Sequence, residues 1–258
     1  VAVRKRKKAL LLDDFHLLSY QELDSTNEEA KRLAEGGAAH GAFIWALQQT
    51  DGKGRRGREW VSQDGNLFTS VLLSPDCELA LLPQLSFVAS VAVFDSVAPL
   101  VQLNHPVHCK WPNDLLVNHK KLAGILLESF ETFESADLRK RWVVIGLGMN
   151  IEHFPQDVEF PATSLKEAGV ELVSAKIILS RFVHHFIHWY SQWEEQGFEP
   201  IQKYWRENCL GIGQKICVRS HEDEKEGIFE DLDADGNLLL RCQQGELHKI
   251  SSGDVFPL

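Results

Sequence analysis

The sequence predicts an α/β or α+β architecture in two unequal parts, a large unit over residues 1–210 and a small β-rich unit over residues 211–258. Three observations carry this. Apolar strand-like runs and helical patterns interleave as far as Asn208, which indicates a sheet packed against helices. After Gly211-Ile212-Gly213 only short alternating segments follow, the signature of a small barrel-like unit. A chain of 258 residues, 44% hydrophobic and 25% charged, can bury a substantial core without covalent staples.

The elements follow in order. Asp24-Ser25-Thr26-Asn27 reads as a capped helix start and Gly36-Gly37 as its stop. Phe43 to Leu47 and Asn66 to Leu73 are strand candidates on either side of a Gly/Arg segment. Gln84 to Val97, rich in small apolar residues and free of Gly and Pro, predicts a helix. Pro106 to Trp111 is a short strand ending at Pro112; Leu115 to Val117 and Lys121 to Glu128 flank a hairpin turn at Asn118-His119-Lys120; Trp142 to Leu147 is a further strand. Ser174 to Trp193 is the clearest amphipathic helix, with Ile177, Ile178, Phe182, Phe186, Trp189 and Trp193 at helical spacing. Pro200 to Asn208 is a shorter helix with Pro in its first turn. The tail divides into strands at Lys215–Arg219, Gly227–Leu232, Asn237–Arg241 and Leu247–Ile250.

Composition narrows function. The net charge of −10 argues against general nucleic-acid binding, so local cationic clusters stand out. No apolar run is read as approaching the ~20 residues that span a bilayer, and Ala9 to Leu12 is too short for a signal-peptide core. The five cysteines are scattered without a C-x-x-C pair, which predicts a reduced, cytoplasmic setting. Arg4 to Lys8 reads as a solvated terminal segment.

Three segments carry chemistry. In Gly52-Lys53-Gly54-Arg55-Arg56-Gly57-Arg58-Glu59-Trp60, glycines let the backbone wrap a ligand, the cations suit a polyanion and Trp60 offers a stacking face. It is not a Walker A loop; an exposed basic turn, an RNA-binding patch and a phosphate-binding loop all fit it. In Lys110-Trp111-Pro112-Asn113-Asp114, Asp114 could hold Mg²⁺ near phosphates, or the segment is a strand-ending turn with a solvated lysine. In Lys121-Leu122-Ala123-Gly124-Ile125-Leu126-Leu127-Glu128, a lysine leads an apolar strand whose Gly124 permits close approach.

Together these segments resemble the biotin protein ligase family. The loop is similar to residues 52–60, Lys-Trp-Pro-Asn-Asp matches 110–114 in full, and Lys-Leu-Ala-Gly-Ile-Leu matches 121–126. Asp24 to Asn27 and Gly146-Leu147-Gly148-Met149-Asn150 look like family segments in the same order, so the resemblance runs from about residue 20 to 151. It implies an α+β fold, a mixed sheet flanked by helices as in class II aminoacyl-tRNA synthetases and biotin ligases, followed by a small SH3-like β-barrel. It also implies ATP-dependent conversion of biotin to biotinyl-5′-AMP, with Mg²⁺, and transfer to a lysine of a biotin carboxyl carrier protein. Residue by residue, it places Ser25, Thr26, Asn27 and Gln49 at the biotin ring. Lys53, Gly54 and Arg55 fall where the loop closes over biotin and the acyl phosphate. Arg58, Trp60, Asn113, Asp114 and Asn150 fall on the adenylate side, with Trp60 able to cover the adenine and Asp114 the candidate Mg²⁺ ligand. Lys121 reaches carboxylate and α-phosphate, and Lys121 and Arg55 are the expected catalytic residues. Lys53 departs from the family's usual arginine and lacks its two-pronged grip. The alternative is a lipoate ligase using related adenylation chemistry; Trp60 and Lys-Trp-Pro-Asn-Asp favour biotin. About 23 residues precede Asp24, fewer than a helix-turn-helix domain needs, so repressor activity is not expected of this chain. A homodimer through a sheet edge is compatible with the family.

Three weaker signals are set aside. Asp231 to Gly236 begins like an EF-hand loop but has Cys242 at position twelve, so a hairpin turn is expected. His184 and His188 lack the glutamate of H-E-x-x-H and read as helix-face residues, and Cys109 reads as packing.

Overall fold

The computed structural model describes residues 15–38, 40–101, 105–133, 139–156, 158–220 and 223–258; Arg4 to Lys8 lie outside them. The large unit contains β1 (His16–Leu23), α1 (Thr26–Glu35), β2 (Ala42–Gln49), β3 (Leu67–Leu73), α2 (Gln84–Val97), β4 (Val107–Lys110), β5 (Asp114–Val117), β6 (Lys120–Phe133), β7 (Arg139–Met149), α3 (Ala175–Gln196) and α4 (Glu199–Glu207). Its seven strands form one mixed sheet in the order β1-β2-β3-β7-β6-β5-β4. β1 and β2 are parallel, joined through α1; the other neighbours are antiparallel. Asn118 (φ 50°) and His119 (φ 61°) supply the left-handed pair that a tight β5–β6 hairpin requires.

Alternation along the strands sorts the two faces. Val143, Ile145 and Leu147 of β7 point into a large core beneath α2, α3 and α4, while Trp142 and Val144 join a smaller core under α1. Continuing along that second face, β7 presents Gly146 and then Gly148, and β3 presents Ser70 beyond Leu72. The covered face thus gives way, at the N-terminal end of α1, to small residues. That change of side-chain size is what makes a cavity there.

The larger core is aromatic. The Phe87 ring meets Phe198 and Trp205 edge-on, with centroids 5.3 and 5.2 Å apart. Trp205 is fully buried and donates its indole N–H to Ser90 Oγ at 3.1 Å. Residues Leu79–Leu100, α2 with a 3-10 turn at each end, are long and apolar enough to cross a membrane by length and composition, contrary to the expectation that no run approaches this. In the fold, 67% of its most apolar window is buried inside the protein, because α2 is the central core helix. On α3, Ile177 is 48% exposed rather than on the core-facing stripe, which is carried by Ile178, Phe182, Phe186, Trp189 and Trp193.

The small unit contains β8 (Lys215–Arg219), β9 (Glu224–Leu232), β10 (Leu238–Arg241), β11 (Leu247–Ile250) and β12 (Asp254–Pro257), an antiparallel sheet in the order β11-β10-β9-β8-β12. β1 and β12 are strands that the sequence pattern does not reveal. Phe229, Leu232, Leu238 and Leu240 extend the large core into this sheet. The β9–β10 turn docks onto the large unit. Gly236 lies at φ +85°, its carbonyl accepts the Trp111 indole N–H at 3.1 Å, and an added Cβ would meet the Phe87 ring at 2.6 Å.

Trp205→Ala should cost about 3–5 kcal/mol of stability, because it leaves a large cavity and takes the indole donor away from the buried Ser90 oxygen. Denaturant unfolding checks this; a loss below about 1 kcal/mol would show that the site collapses or is already loose.

Candidate functional site

The floor of the site is bare backbone. Gly124 of β6 and Gly148 of β7 are cross-strand partners, and the Trp60 indole lies on them. A Cβ on Gly148 would overlap the indole, and one on Gly124 would meet it at 3.0 Å. Two residues along β7, a Cβ on Gly146 would occupy the place of Asn27 Oδ1. The Gly-Leu-Gly spacing therefore makes room for one amide and one indole on the same face.

The N-terminus of α1 closes one end. Ser25 sits at the cap position but its side chain makes no capping hydrogen bond. Gln49 Oε1 of β2 instead accepts the Thr26 N–H at 2.8 Å, and Gln49 Nε2 donates to Ser62 Oγ at 3.1 Å. Ser70 Oγ stands 2.7 Å from Thr26 Oγ1 and 2.6 Å from Asn27 Oδ1. Asn27 Nδ2 donates to Glu128 Oε2 at 2.7 Å. Ion pairs continue outward: Glu128 to Lys31 at 2.9 Å, Lys31 to Glu28 at 3.0 Å and Glu28 to Lys53 at 2.9 Å. Lys53 holds the Glu28 carboxyl below its usual range, and Glu28 in turn raises Lys53. Lys53 thereby ties the loop to α1.

The basic segment is a narrow hairpin. Trp60 N–H donates to Gly52 O at 2.9 Å and Gly54 N–H to Arg58 O at 2.7 Å, with Arg56 in the left-handed region (φ 58°) at the tip. Arg55 folds inward and donates to Asn113 Oδ1 at 2.9 Å and to Gly253 O at 3.5 Å. Asn113 is itself fixed through Nδ2 to Ile125 O at 2.6 Å. Arg58 and Arg56 pair with Asp254 of β12. Burial would raise the Asp254 carboxyl, but Arg58, Arg56 and Arg55 hold it below its usual value. Burial lowers Arg55, which has no carboxylate in ion-pair contact among the described residues.

At the centre Lys121 Nζ forms an ion pair with Asp114 Oδ1 at 2.6 Å and lies 5.6 Å from the Trp60 ring centroid. Two pockets meet here. The polar one is lined by the α1 N-terminus, Gln49, the loop and the glycine floor. The adjoining one has apolar walls from Val61, Val158, Phe160 and Phe256, with Asn150 and Lys110. Arg58, Trp60, Asp114, Lys121 and Asp254 border both. The second pocket is framed by residues 151–156 and 158–163: Asn66 Oδ1 accepts the N–H groups of Ile151, Glu152 and His153, and Asn150 Nδ2 donates to Thr163 O at 3.0 Å.

Ser25, Thr26, Asn27, Gln49, Lys53, Gly54, Arg55, Arg58, Trp60, Asn113, Asp114 and Lys121 thus share one cavity, with Asn150 in its neighbour. The sequence alone does not reveal Ser70, Glu128, Asp254 or the second pocket's apolar wall as parts of the site; single residues on separated elements leave no local pattern. Nor is Lys110 the solvated lysine of a strand-ending turn. It is only 7% exposed, its ammonium 3.6 Å above the Phe160 ring, and burial lowers it to about 8. Asp114 is the sole candidate Mg²⁺ ligand from the sequence, and no group of three or more His, Cys, Asp or Glu could hold a metal among the described residues. A single carboxylate suits Mg²⁺ carried largely by substrate phosphates rather than a protein cage.

The hairpin expected at Asp235-Gly236 is observed, with Asp233 Oδ1 accepting the N–H groups of Asp235 and Asn237, and His184 and His188 are exposed residues on the surface of α3. Cys109 is fully buried, its thiol pushed up to about 12 by burial.

Lys110 gives a pH signature. Its folded value of about 8 lies below the ordinary 10.5, so the unfolded chain holds the extra proton between those pH values. Wild-type stability should therefore rise through that window relative to Lys110→Met, which should be the more stable protein at pH 7. Denaturant titrations at several pH values check it; a pH-independent gap would mean that Lys110 is solvated after all.

Residues 21–207 match the model of the biotin/lipoate A/B protein ligase family, and residues 211–256 match that of the biotin protein ligase C-terminal domain. The biotin–[acetyl-CoA-carboxylase] ligase of Paracoccus denitrificans is 34% identical, over 90% of this chain and 97% of its own length. The bifunctional ligase/repressor BirA of Bacillus spizizenii is 35% identical, over 93% of this chain and 73% of its own. The fold superimposes with a TM-score of 0.77 on the Aquifex aeolicus biotin protein ligase solved with biotin and ATP, at 28% identity, covering 93% of this chain and 97% of that one. With both parts of the chain matched and the site residues gathered in one cavity, the chain belongs to the biotin/lipoate A/B protein ligase family, as a biotin protein ligase.

Proposed function

We propose that the protein uses ATP to convert biotin to biotinyl-5′-AMP and transfers the biotinyl group to a lysine of a biotin carboxyl carrier protein. The observation that carries this is Lys121, which stands with Asp114 and Trp60 on the wall shared by two pockets. One pocket offers amides and hydroxyls suited to a polar ring, and the other an apolar slot suited to a base. A carboxylate from the first and an α-phosphate from the second meet at Lys121.

In this reading Ser25, Thr26, Asn27 and Gln49 take the ureido ring and Gly54 and Arg55 close over the acyl end, Lys53 acting through Glu28. Arg58, Trp60, Asn113, Asp114 and Asn150 serve the nucleotide. A carboxylate oxygen of biotin attacks the α-phosphorus, forming the anhydride bond and releasing pyrophosphate. Lys121 and Arg55 place positive charge where the two anions approach, which lowers the barrier without a protein nucleophile. The acceptor amine then attacks the acyl carbon, an amide bond forms, a proton is lost and AMP leaves. Asp114 is the residue that would hold Mg²⁺, whose charge offsets that of the polyphosphate.

We further propose a boundary between the catalytic unit and an SH3-like unit at residues 210/211, supported by the switch to an all-antiparallel sheet. The five free cysteines support a reducing, cytoplasmic setting. The outer edge of β1, unpaired among the described residues, is compatible with a homodimer.

Mixing with ATP and biotin should release pyrophosphate, and mixing with ATP and lipoate should not. Release with lipoate alone would reassign the enzyme to the family's other branch. In the same assay Lys121→Ala should lose about 100-fold or more in adenylation rate; a rate near wild type would remove Lys121 from the chemistry. Arg55→Ala should release bound biotinyl-AMP about tenfold faster, read as a dissociation rate; an unchanged rate would mean that Arg55 only braces Asn113.

A further inference from the structure

We infer that Glu128 is a positioning residue that sets the hydrogen-bond polarity of the ring end of the biotin site, acting through Asn27. The inference rests on the biotin reading above. Asn27 is nearly fully buried, and the two ends of its amide have almost the same shape, so only their partners decide which way it faces. Glu128, a carboxylate, can only accept. It therefore draws Asn27 Nδ2 toward itself at 2.7 Å and turns Oδ1 toward Ser70. The space left by Gly146 receives that oxygen.

The consequence propagates by proton counting. Ser70 has one hydroxyl proton and two oxygens within reach, Asn27 Oδ1 at 2.6 Å and Thr26 Oγ1 at 2.7 Å. With Oδ1 presented, that proton goes to Asn27, and the Thr26 hydroxyl donates to Ser70. Gln49 Oε1, which lies 3.2 Å from Thr26 Oγ1, is then committed only to the Thr26 backbone N–H at 2.8 Å and keeps a lone pair for ligand. Were the Asn27 amide reversed, Nδ2 would donate to Ser70, Ser70 to Thr26 and Thr26 to Gln49, filling that lone pair. One carboxylate outside the ring end thus decides whether Gln49 offers the ring an acceptor.

Lys31 makes this testable, because it holds the other oxygen of Glu128 at 2.9 Å. In Glu128→Gln the new amide oxygen should turn to the Lys31 ammonium, which leaves the new amide nitrogen facing Asn27 and reverses the Asn27 amide. Adding Lys31→Met removes that ammonium and lets the introduced amide present its oxygen to Asn27 again. These groups are a quarter or more exposed, so the substitutions bear little on global stability.

Calorimetric titration of biotin and, separately, of ATP tests the inference. Glu128→Gln should weaken biotin about tenfold and leave ATP within about twofold, and the Lys31→Met, Glu128→Gln pair should recover most of the biotin affinity. An unchanged biotin affinity in Glu128→Gln, equal losses for both ligands, or a double variant no better than the single one would each overturn it. Wild-type protein that fails to bind biotin at all would instead overturn the functional reading.

Discussion

The site crowds lysines and arginines around one wall, and carboxylates from four separate elements, Glu128 of β6 on Lys31 among them, balance all but two of these cations. Glu28 of α1 holds Lys53 and Lys31, Asp114 of β5 holds Lys121, and Asp254 of β12 holds Arg56 and Arg58. Like charges gathered without such partners repel roughly as 332/(ε·r), a cost that solvent screens at the exposed Lys53 and Arg58 and screens less at the buried groups. The helix, the sheet and the small C-terminal unit therefore each bring counter-charge to the one cavity. Arg55 and Lys110 are the exceptions: among the described residues neither has a carboxylate within ion-pair distance, and burial lowers both. An arriving anion would repay its own desolvation most fully beside these two cations.

How far the sequence reveals this depends on how local each cause is. α2 is legible to the residue, because an apolar run without Gly or Pro states its own ends. The β5–β6 hairpin is legible from its turn. β1 is not: His16–Leu23 is a largely exposed edge strand with little apolar alternation. β12 is four residues ending in proline. The stop of α1 at Gly36 is local, whereas its first N–H is satisfied by Gln49 from β2, a partner no local pattern names.

The site divides in the same way. Its loop, its Lys-Trp-Pro-Asn-Asp turn and Lys121 are contiguous runs with unusual composition, and they are readable. Glu128 is visible as the last residue of the lysine-led strand, but its link to Asn27 spans 101 positions and depends on sheet register. Lys110 escapes such reading because lysines at strand ends are usually solvated. Phe160 closes over it from the segment pinned by Asn66, a tertiary event with no sequence mark.

Trp60 is the partition between the two pockets and has no floor of its own except glycine backbone. A partition cannot be displaced into one room without enlarging the other. If one ligand sets the indole in the position the other needs, the second no longer spends that free energy. By thermodynamic reciprocity the benefit is then the same in both orders of addition. The glycine floor thus gives ligands on two different walls a shared ring through which such coupling would run.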